Sequence, residues 1–245
     1  MIKYHFITFA TPDHMIFAKN NVKSALNMGK FDTATIYTLD DIDEDFKLKN
    51  SHIFSFKRGA GYWLWKSYVI LKKLLEINEN DILCYNDSKY IWTTDVRKLE
   101  KDILSNNHIG CYVNRPYSFS HTEKQFTKSD AFLLMNIPNN ELGNNIKNSN
   151  QYWAGFSLLR KNFTSIRFIG EYLTYSQDDR IITDSPSVMT TNDKIFTENR
   201  HDQTIFSLLC KKWNIPMNII DKNDLIDLRN PNPELLHLLE NYNKI

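Results

Sequence analysis

The stretch ILCYNDSKYIW, 82–92, runs a short apolar strand into Tyr85, Asn86, Asp87, Ser88 and Lys89. Ligands of open α/β sheets bind beyond the carboxyl ends of strands, so Asp87 stands where a functional carboxylate belongs. It can hold a divalent cation that bridges two phosphates, because hard cations take oxygen ligands. It can also accept hydrogen bonds from a ribose or sugar hydroxyl, or be a solvated turn residue that caps the next element. The residue types leave these readings level.

A second segment, KRGAGYWLWKSYVILKKLL at 57–75, places Gly59 and Gly61 just before a helical pattern. The glycines permit left-handed backbone, and a helix N-terminus can receive an anion. Arg58 and Lys66 add positive charge, which makes this a wall suited to a diphosphate. It is not a P-loop, since the GxxxxGK[ST] spacing is absent. Trp65 reads as a core anchor, whereas Lys66 reads as functional.

Three further runs carry weaker signals. In ENRHDQTIFSLLCKKW, 198–213, His201, Asp202 and Gln203 open an apolar helix. Asp202 is either a helix-start carboxylate or a group that orients an acceptor hydroxyl and takes its proton. His201 can meet a phosphate or act as a base near neutral pH. In QYWAGFSLLR, 151–160, Ala154 and Gly155 would let a sugar ring approach the backbone while Trp153 offers a stacking face; the plainer reading is a strand irregularity. In FTKSDAFLLM, 126–135, Thr127 can cap a helix, and Lys128 and Asp130 are surface residues or face an acceptor.

The elements that must position these residues alternate. Strands are expected at 2–9, 33–38, 53–56, 81–85, 109–113, 152–159 and 217–220, and helices at 13–28, 62–77, 94–104, 163–175 and 202–213. Gly29 is placed to close the first helix. Strand–helix alternation argues an α/β sheet with helices on its faces. Residues 136–150, rich in Asn, read as a loop. Residues 176–199 are polar and irregular, as binding loops and lids often are. The tail from Asp221 is expected to pack loosely.

With 245 residues, of which 42% are hydrophobic, and no Pro/Gly/Ser-rich linker, the chain reads as one domain over 1–245. Lys and Arg number 30 against 29 Asp and Glu, a balance that argues against a nucleic-acid-binding surface despite Lys57, Arg58, Lys66, Lys72 and Lys73 near aromatics. Cys84, Cys111 and Cys210 form no CxxC pair and read as buried thiols of a reducing, cytoplasmic setting. No apolar run of transmembrane length occurs, which leaves peripheral membrane contact open.

In combination, RGAGYWLWKSYVIL, DILCYNDSKYIW, FTKSDAF, QYWAGFSLLR and NRHDQTIFSLL resemble a family of bacterial and viral polysaccharide glycosyltransferases, over residues 2–220. The resemblance implies a GT-A fold, a mixed central sheet flanked by helices, with a variable acceptor-side region around 114–200. It implies a nucleoside-diphosphate sugar donor, commonly a UDP-sugar, and transfer of a hexose to a hydroxyl of a glycan or glycolipid, as in capsule or lipopolysaccharide assembly. In such families an Asp-x-Asp motif holds a manganese or magnesium ion and the donor. Here the matching residues are Asp87, Ser88 and Lys89, so the first acid is kept and the second is a lysine that could neutralise the diphosphate itself.

The resemblance carries the donor side to Thr8, Arg58, Gly59, Gly61, Lys66, Tyr85, Asn86, Asp87 and Lys89, with Asp87 as metal ligand. It carries the catalytic side to His201, Asp202 and Gln203, and the acceptor side to Lys128, Asp130, Trp153, Ala154 and Gly155. It inclines to retention of the anomeric configuration. The alternatives are a sugar-nucleotide hydrolase, a nucleotidyl transferase, and a catalytically degenerate glycan- or nucleotide-binding protein.

Overall fold

In the computed structural model, residues 1–104, 109–113, 121–219 and 225–227 are described. The first strand, β1 (Tyr4–Phe9), is buried at every position. Continuous burial needs cover on both faces, and the side chains divide by strand period. Phe6 joins one apolar cluster with Ile82 and Cys84, while Ile7 and Phe9 join another with Leu83 and Tyr85.

The strands β2 (Thr33–Tyr37), β3 (Ile82–Asn86), β5 (Ile109–Val113), β6 (Tyr152–Arg160) and β7 (Met217–Ile219) complete a six-stranded sheet in the order β2-β1-β3-β6-β5-β7. β1 runs parallel to β2 and β3; β6 runs antiparallel to β3 and β5. β7 is parallel to β5. This is the mixed sheet expected.

Helices cover both faces. The Leu64–Glu76, Phe163–Ser176 and Asp202–Lys212 helices supply Val69, Phe168 and Ile205 to the cluster that holds Tyr85. The Met15–Asn27 and Val96–Ile103 helices supply Ala25 and Leu99 to the other. Because alternate residues share a face, Tyr85 and Asp87 point the same way, and this side of the sheet assembles the site.

Several elements differ from expectation. Residues 53–56 are not a strand; Ser51–Phe54 is a helical turn in which only Ile53 is buried. A short apolar run has no period long enough to separate the two. The expected loop at 136–150 contains the Glu141–Asn148 helix, capped by Asn140 Oδ1, which accepts from Gly143 N at 3.2 Å. The Asn that suggests a loop is thus a helix start. Gly143 is needed there, since a Cβ would lie 1.6 Å from Pro138 O. The tail from Asp221 lies outside the described residues except β8 (Leu225–Asp227). That strand pairs antiparallel with β4 (Tyr90–Trp92) and buries Leu225.

Cys84 and Cys210 are buried; the side chain of Cys111 is outside those described. Among the described residues no helix is long and apolar enough to cross a membrane.

Candidate active site

β1 and β3 end side by side, and a cleft of about 420 Å³ opens over their carboxyl ends. That volume lies within the range of small-molecule sites. Phe9, Trp63, Trp65, Tyr85 and Tyr90 give it aromatic walls. Its charged side chains are those of Asp13, Lys57, Asp87 and Lys89, and His14 lines it too.

Asp87 is fixed from below. Its Oδ1 accepts from Tyr85 OH at 2.8 Å and lies 3.4 Å from Lys66 Nζ. Its backbone N–H donates to Gly155 O at 2.9 Å, and its carbonyl accepts from Asn21 Nδ2 at 3.0 Å. Asn86 is buried and donates to the same Gly155 carbonyl at 2.9 Å. Gly155 leaves room for this junction, since a Cβ there would sit 2.6 Å from Asp87 Oδ2 and 2.2 Å from Trp153 Nε1.

Lys66 lies in the first turn of the Leu64–Glu76 helix, where a cation opposes the helix dipole. Its compensation comes from elsewhere in the chain: Nζ donates to Asp202 Oδ2 at 2.6 Å. Burial penalises the Lys66 charge, yet Asp202 and Asp87 outweigh it and hold the ammonium above its ordinary value. Burial also lifts Asp202, although Lys66 pulls it down. Burial, with Asp87 beside it, pushes the Tyr85 phenol well up, so Tyr85 serves as a donor. Tyr172, absent from the sequence-derived site, donates from its OH to Asp202 O at 3.3 Å. Asp202 is only 5% exposed; it lies beneath the cleft floor.

The glycine segment forms a left-handed turn. Gly59, Ala60, Gly61, Tyr62 and Trp63 have φ of 59°, 50°, 92°, 50° and 62°. Tyr62 N donates to Arg58 O at 2.8 Å and Trp63 N to Gly59 O at 3.1 Å. Left-handed helix costs L-residues about 1–2 kcal/mol each, and three of these five carry side chains. Aromatic packing offsets that cost. Trp63 stacks on His201 with centroids 5.3 Å apart, and Trp65 stacks on Phe9 at 3.6 Å. Trp65 Nε1 donates to Gly59 O at 2.8 Å.

Of the donor-side residues named from sequence, Gly59, Tyr85, Asp87 and Lys89 line the cleft. Lys66 braces it from beneath. Thr8 is fully buried, and its neighbours Phe9 and Thr11 face the cleft instead. Gly61 packs against Phe54. Arg58 points away to Asp184 at 3.1 Å and Glu198 at 3.7 Å.

On the catalytic side, the buried His201 ring donates from Nδ1 to Ile182 O at 2.7 Å. Gln203 donates to Gln151 Oε1 at 2.9 Å. Gln151 belongs to a separate buried network around Glu123, which also pairs with Lys211 at 2.6 Å. His201, Asp202 and Gln203 are thus adjacent in sequence but serve three different surroundings.

The acceptor-side residues also separate. The buried Trp153 packs on Tyr90, with centroids 4.9 Å apart. Opposite β5 the register jumps from Ser157 to Trp153 while β5 advances from Cys111 to Tyr112. Ala154 and Gly155 therefore sit in the irregularity that was the plainer reading. Lys128 and Asp130 do not line the cleft. Lys128 Nζ donates to Thr183 O at 3.0 Å and Ser185 O at 3.1 Å; burial pulls its value down to about 8. Asp130 accepts the N–H groups of Val188, Met189 and Thr190 at 2.7–3.1 Å. Thr127 does not cap the next helix; its hydroxyl donates to Glu123 Oε2 at 2.8 Å. Together Lys128 and Asp130 fasten 183–190, so the segment expected as a lid is tied to this side of the molecule.

Asp13 and His14 were missed as site residues. They stand past the end of β1 as Asp87 stands past the end of β3, and that placement was the available signal. Asp13 accepts from Thr11 Oγ1 at 2.5 Å and lies 3.0 Å from His14 Nδ1.

Among the described residues the donor set does not fit a divalent cation. Such ions take six or more oxygens, commonly from several carboxylates. Among the described residues no three His, Cys, Asp or Glu side chains come together as a metal cage. The second acidic position is Lys89, and the Lys66 ammonium already sits against Asp87. Asp87 is better described as a braced, hydrogen-bonding carboxylate than as a metal ligand.

No family model matches the chain, and neither does any curated protein. Among solved structures, it is similar to mouse xyloside xylosyltransferase 1 in apo form, at 12% identity and TM-score 0.46 over 91% of this chain and 86% of that one. It is similar to the bifunctional glycosyltransferase WbbM, apo, at 12% identity and TM-score 0.49 over 99% of this chain and 44% of that one. It is also similar to core-mannan synthase A from Aspergillus fumigatus in its Mn/GDP form, at 10% identity and TM-score 0.46, covering 86% and 70%. The chain thus spans less than half of WbbM.

Proposed function

We propose that this chain is a GT-A glycosyltransferase that moves a hexose from a nucleoside-diphosphate sugar, a UDP-sugar, to a hydroxyl of a glycan or glycolipid acceptor. The observation that carries the reading is the cleft over β1 and β3, with Asp87 on its floor braced by Lys66 and Tyr85. The aromatic walls suit a nucleobase and a sugar face. Buried cysteines with no CxxC pair suit a reducing, cytoplasmic setting.

In the reaction the bond between the sugar anomeric carbon and the diphosphate oxygen breaks. The acceptor oxygen bonds to that carbon and loses its proton. Stabilising charge on the leaving diphosphate is the main demand. Lys57 and Lys89 face the cleft and meet it. Asp87 accepts a hydrogen bond from the donor sugar or orients the acceptor hydroxyl. Asp202, beneath the floor, holds Lys66 charged and so fixes Asp87. With Asp202 removed from the cleft, the leaving phosphate takes the acceptor proton, which accords with retention.

The test is incubation with UDP-, GDP- and CDP-sugars and a panel of glycan acceptors, read by mass spectrometry. A product heavier than the acceptor by one sugar supports the reading. Free sugar with no acceptor product makes the chain a hydrolase. Nucleotide binding with no turnover makes it a degenerate binding protein.

A further inference from the structure

We propose that the donor diphosphate is held by lysine side chains without a divalent cation: Lys89 takes the place of the second metal-binding acid, and Lys66 stands against the first. This rests on the nucleotide-sugar reading above.

Three observations converge. Asp87 is the only cleft carboxylate at the end of β3, and its Oδ1 is engaged by Tyr85 OH at 2.8 Å and Lys66 Nζ at 3.4 Å. A cation on Asp87 would share that carboxylate with a buried ammonium, whose repulsion a poorly screened interior makes large. The other cleft carboxylate, Asp13, is turned to Thr11 and His14. Lys89 stands two residues past Asp87 on the cleft, with Nζ 5.7 Å from the Phe17 ring centroid. Such a contact leaves its N–H groups for an anion. Lys57 reaches the cleft from just before the left-handed turn.

An ammonium is a point charge well suited to phosphate. Two of them, Lys57 and Lys89, line the cleft where a diphosphate would lie. Lys66 takes no part in that contact, because it is buried beneath the cleft and paired with Asp202 and Asp87.

The experiment is calorimetric titration of the full chain with uridine diphosphate, once in EDTA and once in manganese, beside titration of manganese alone. The expected result is diphosphate affinity equal within about twofold in the two buffers. Lys89→Met should weaken diphosphate binding about ten- to a hundredfold, as loss of a charged hydrogen bond does, and leave uridine binding unchanged. Binding by the unaltered chain that vanishes in EDTA and returns with manganese overturns the inference and leaves the transferase reading standing. Manganese binding to the chain alone that Asp87→Asn abolishes overturns it likewise. No nucleotide binding in either buffer overturns both.

Discussion

Lys66 Nζ and Asp202 Oδ2 meet at 2.6 Å across 136 residues of sequence. The contact joins the first turns of two helices packed on one face of the sheet, and Asp87 extends it to the cleft at 3.4 Å. Both members of the pair are almost completely buried.

Breaking a buried pair leaves one charge uncompensated, at a cost of about 3–5 kcal/mol. Lys66→Met and Asp202→Leu should each lose stability on that scale, and the double variant should lose much less than the sum. Urea unfolding of the four proteins checks this. Strictly additive losses would mean that the two residues act independently.

Gly155→Ala separates the site from the fold. The added methyl would press on Asp87 Oδ2 and the Trp153 indole. Donor affinity or turnover should fall at least tenfold, while the melting temperature moves by only a few degrees (about 1–3 kcal/mol of overpacking). A variant with normal turnover would show that the position of Asp87 does not matter.

His201 should make the fold acid-sensitive. Its ring is 3% exposed, Nδ1 donates to Ile182 O, and Nε2 has no hydrogen-bond partner among the described residues, with Asp184 Oδ1 at 3.6 Å. Burial holds it below the ordinary value, with the Ile182 bond, Asp184 and Asp202 acting against that and Arg58 with it. Tyr62 also packs on the ring. A histidine whose folded-state value is depressed binds protons more readily unfolded, so stability declines as pH falls below about 6.5. Comparing urea midpoints at pH 7.5 and pH 5 should show a steeper acid loss than in His201→Gln. Equal losses would place the acid sensitivity elsewhere.

Asp130 pins a stretch with almost no regular structure. Its carboxylate takes three successive N–H groups from Val188 to Thr190, and Val188 is itself exposed. Asp130→Ala should raise the rate of proteolytic cutting at 186–192 severalfold, since local opening governs cleavage. An unchanged rate would show that Lys128 suffices to hold the segment.

Much of the architecture was legible along the chain. The strands at 2–9 and 81–85 matched β1 and β3 within two residues, and long helical periods placed the Leu64–Glu76, Phe163–Ser176 and Asp202–Lys212 helices within one or two residues. The strand end at Asp87 and the glycines before Trp63 were readable because residue type and local order carry them, whereas Lys66, read as a donor-side cation, is buried beneath the cleft. The helix at Glu141–Asn148 was not, because Asn serves loops and helix caps alike. What only the tertiary structure decided is the partnership of charges. Sequence offered Asp202 as a group facing substrate, and packing put it under the floor as the counter-ion of Lys66. Sequence grouped His201, Asp202 and Gln203, and the helix start turned them to three different neighbours. Residue identity determines which charges a chain possesses, but burial and distance determine which of them meet, because electrostatic attraction acts through space and strengthens where water is excluded.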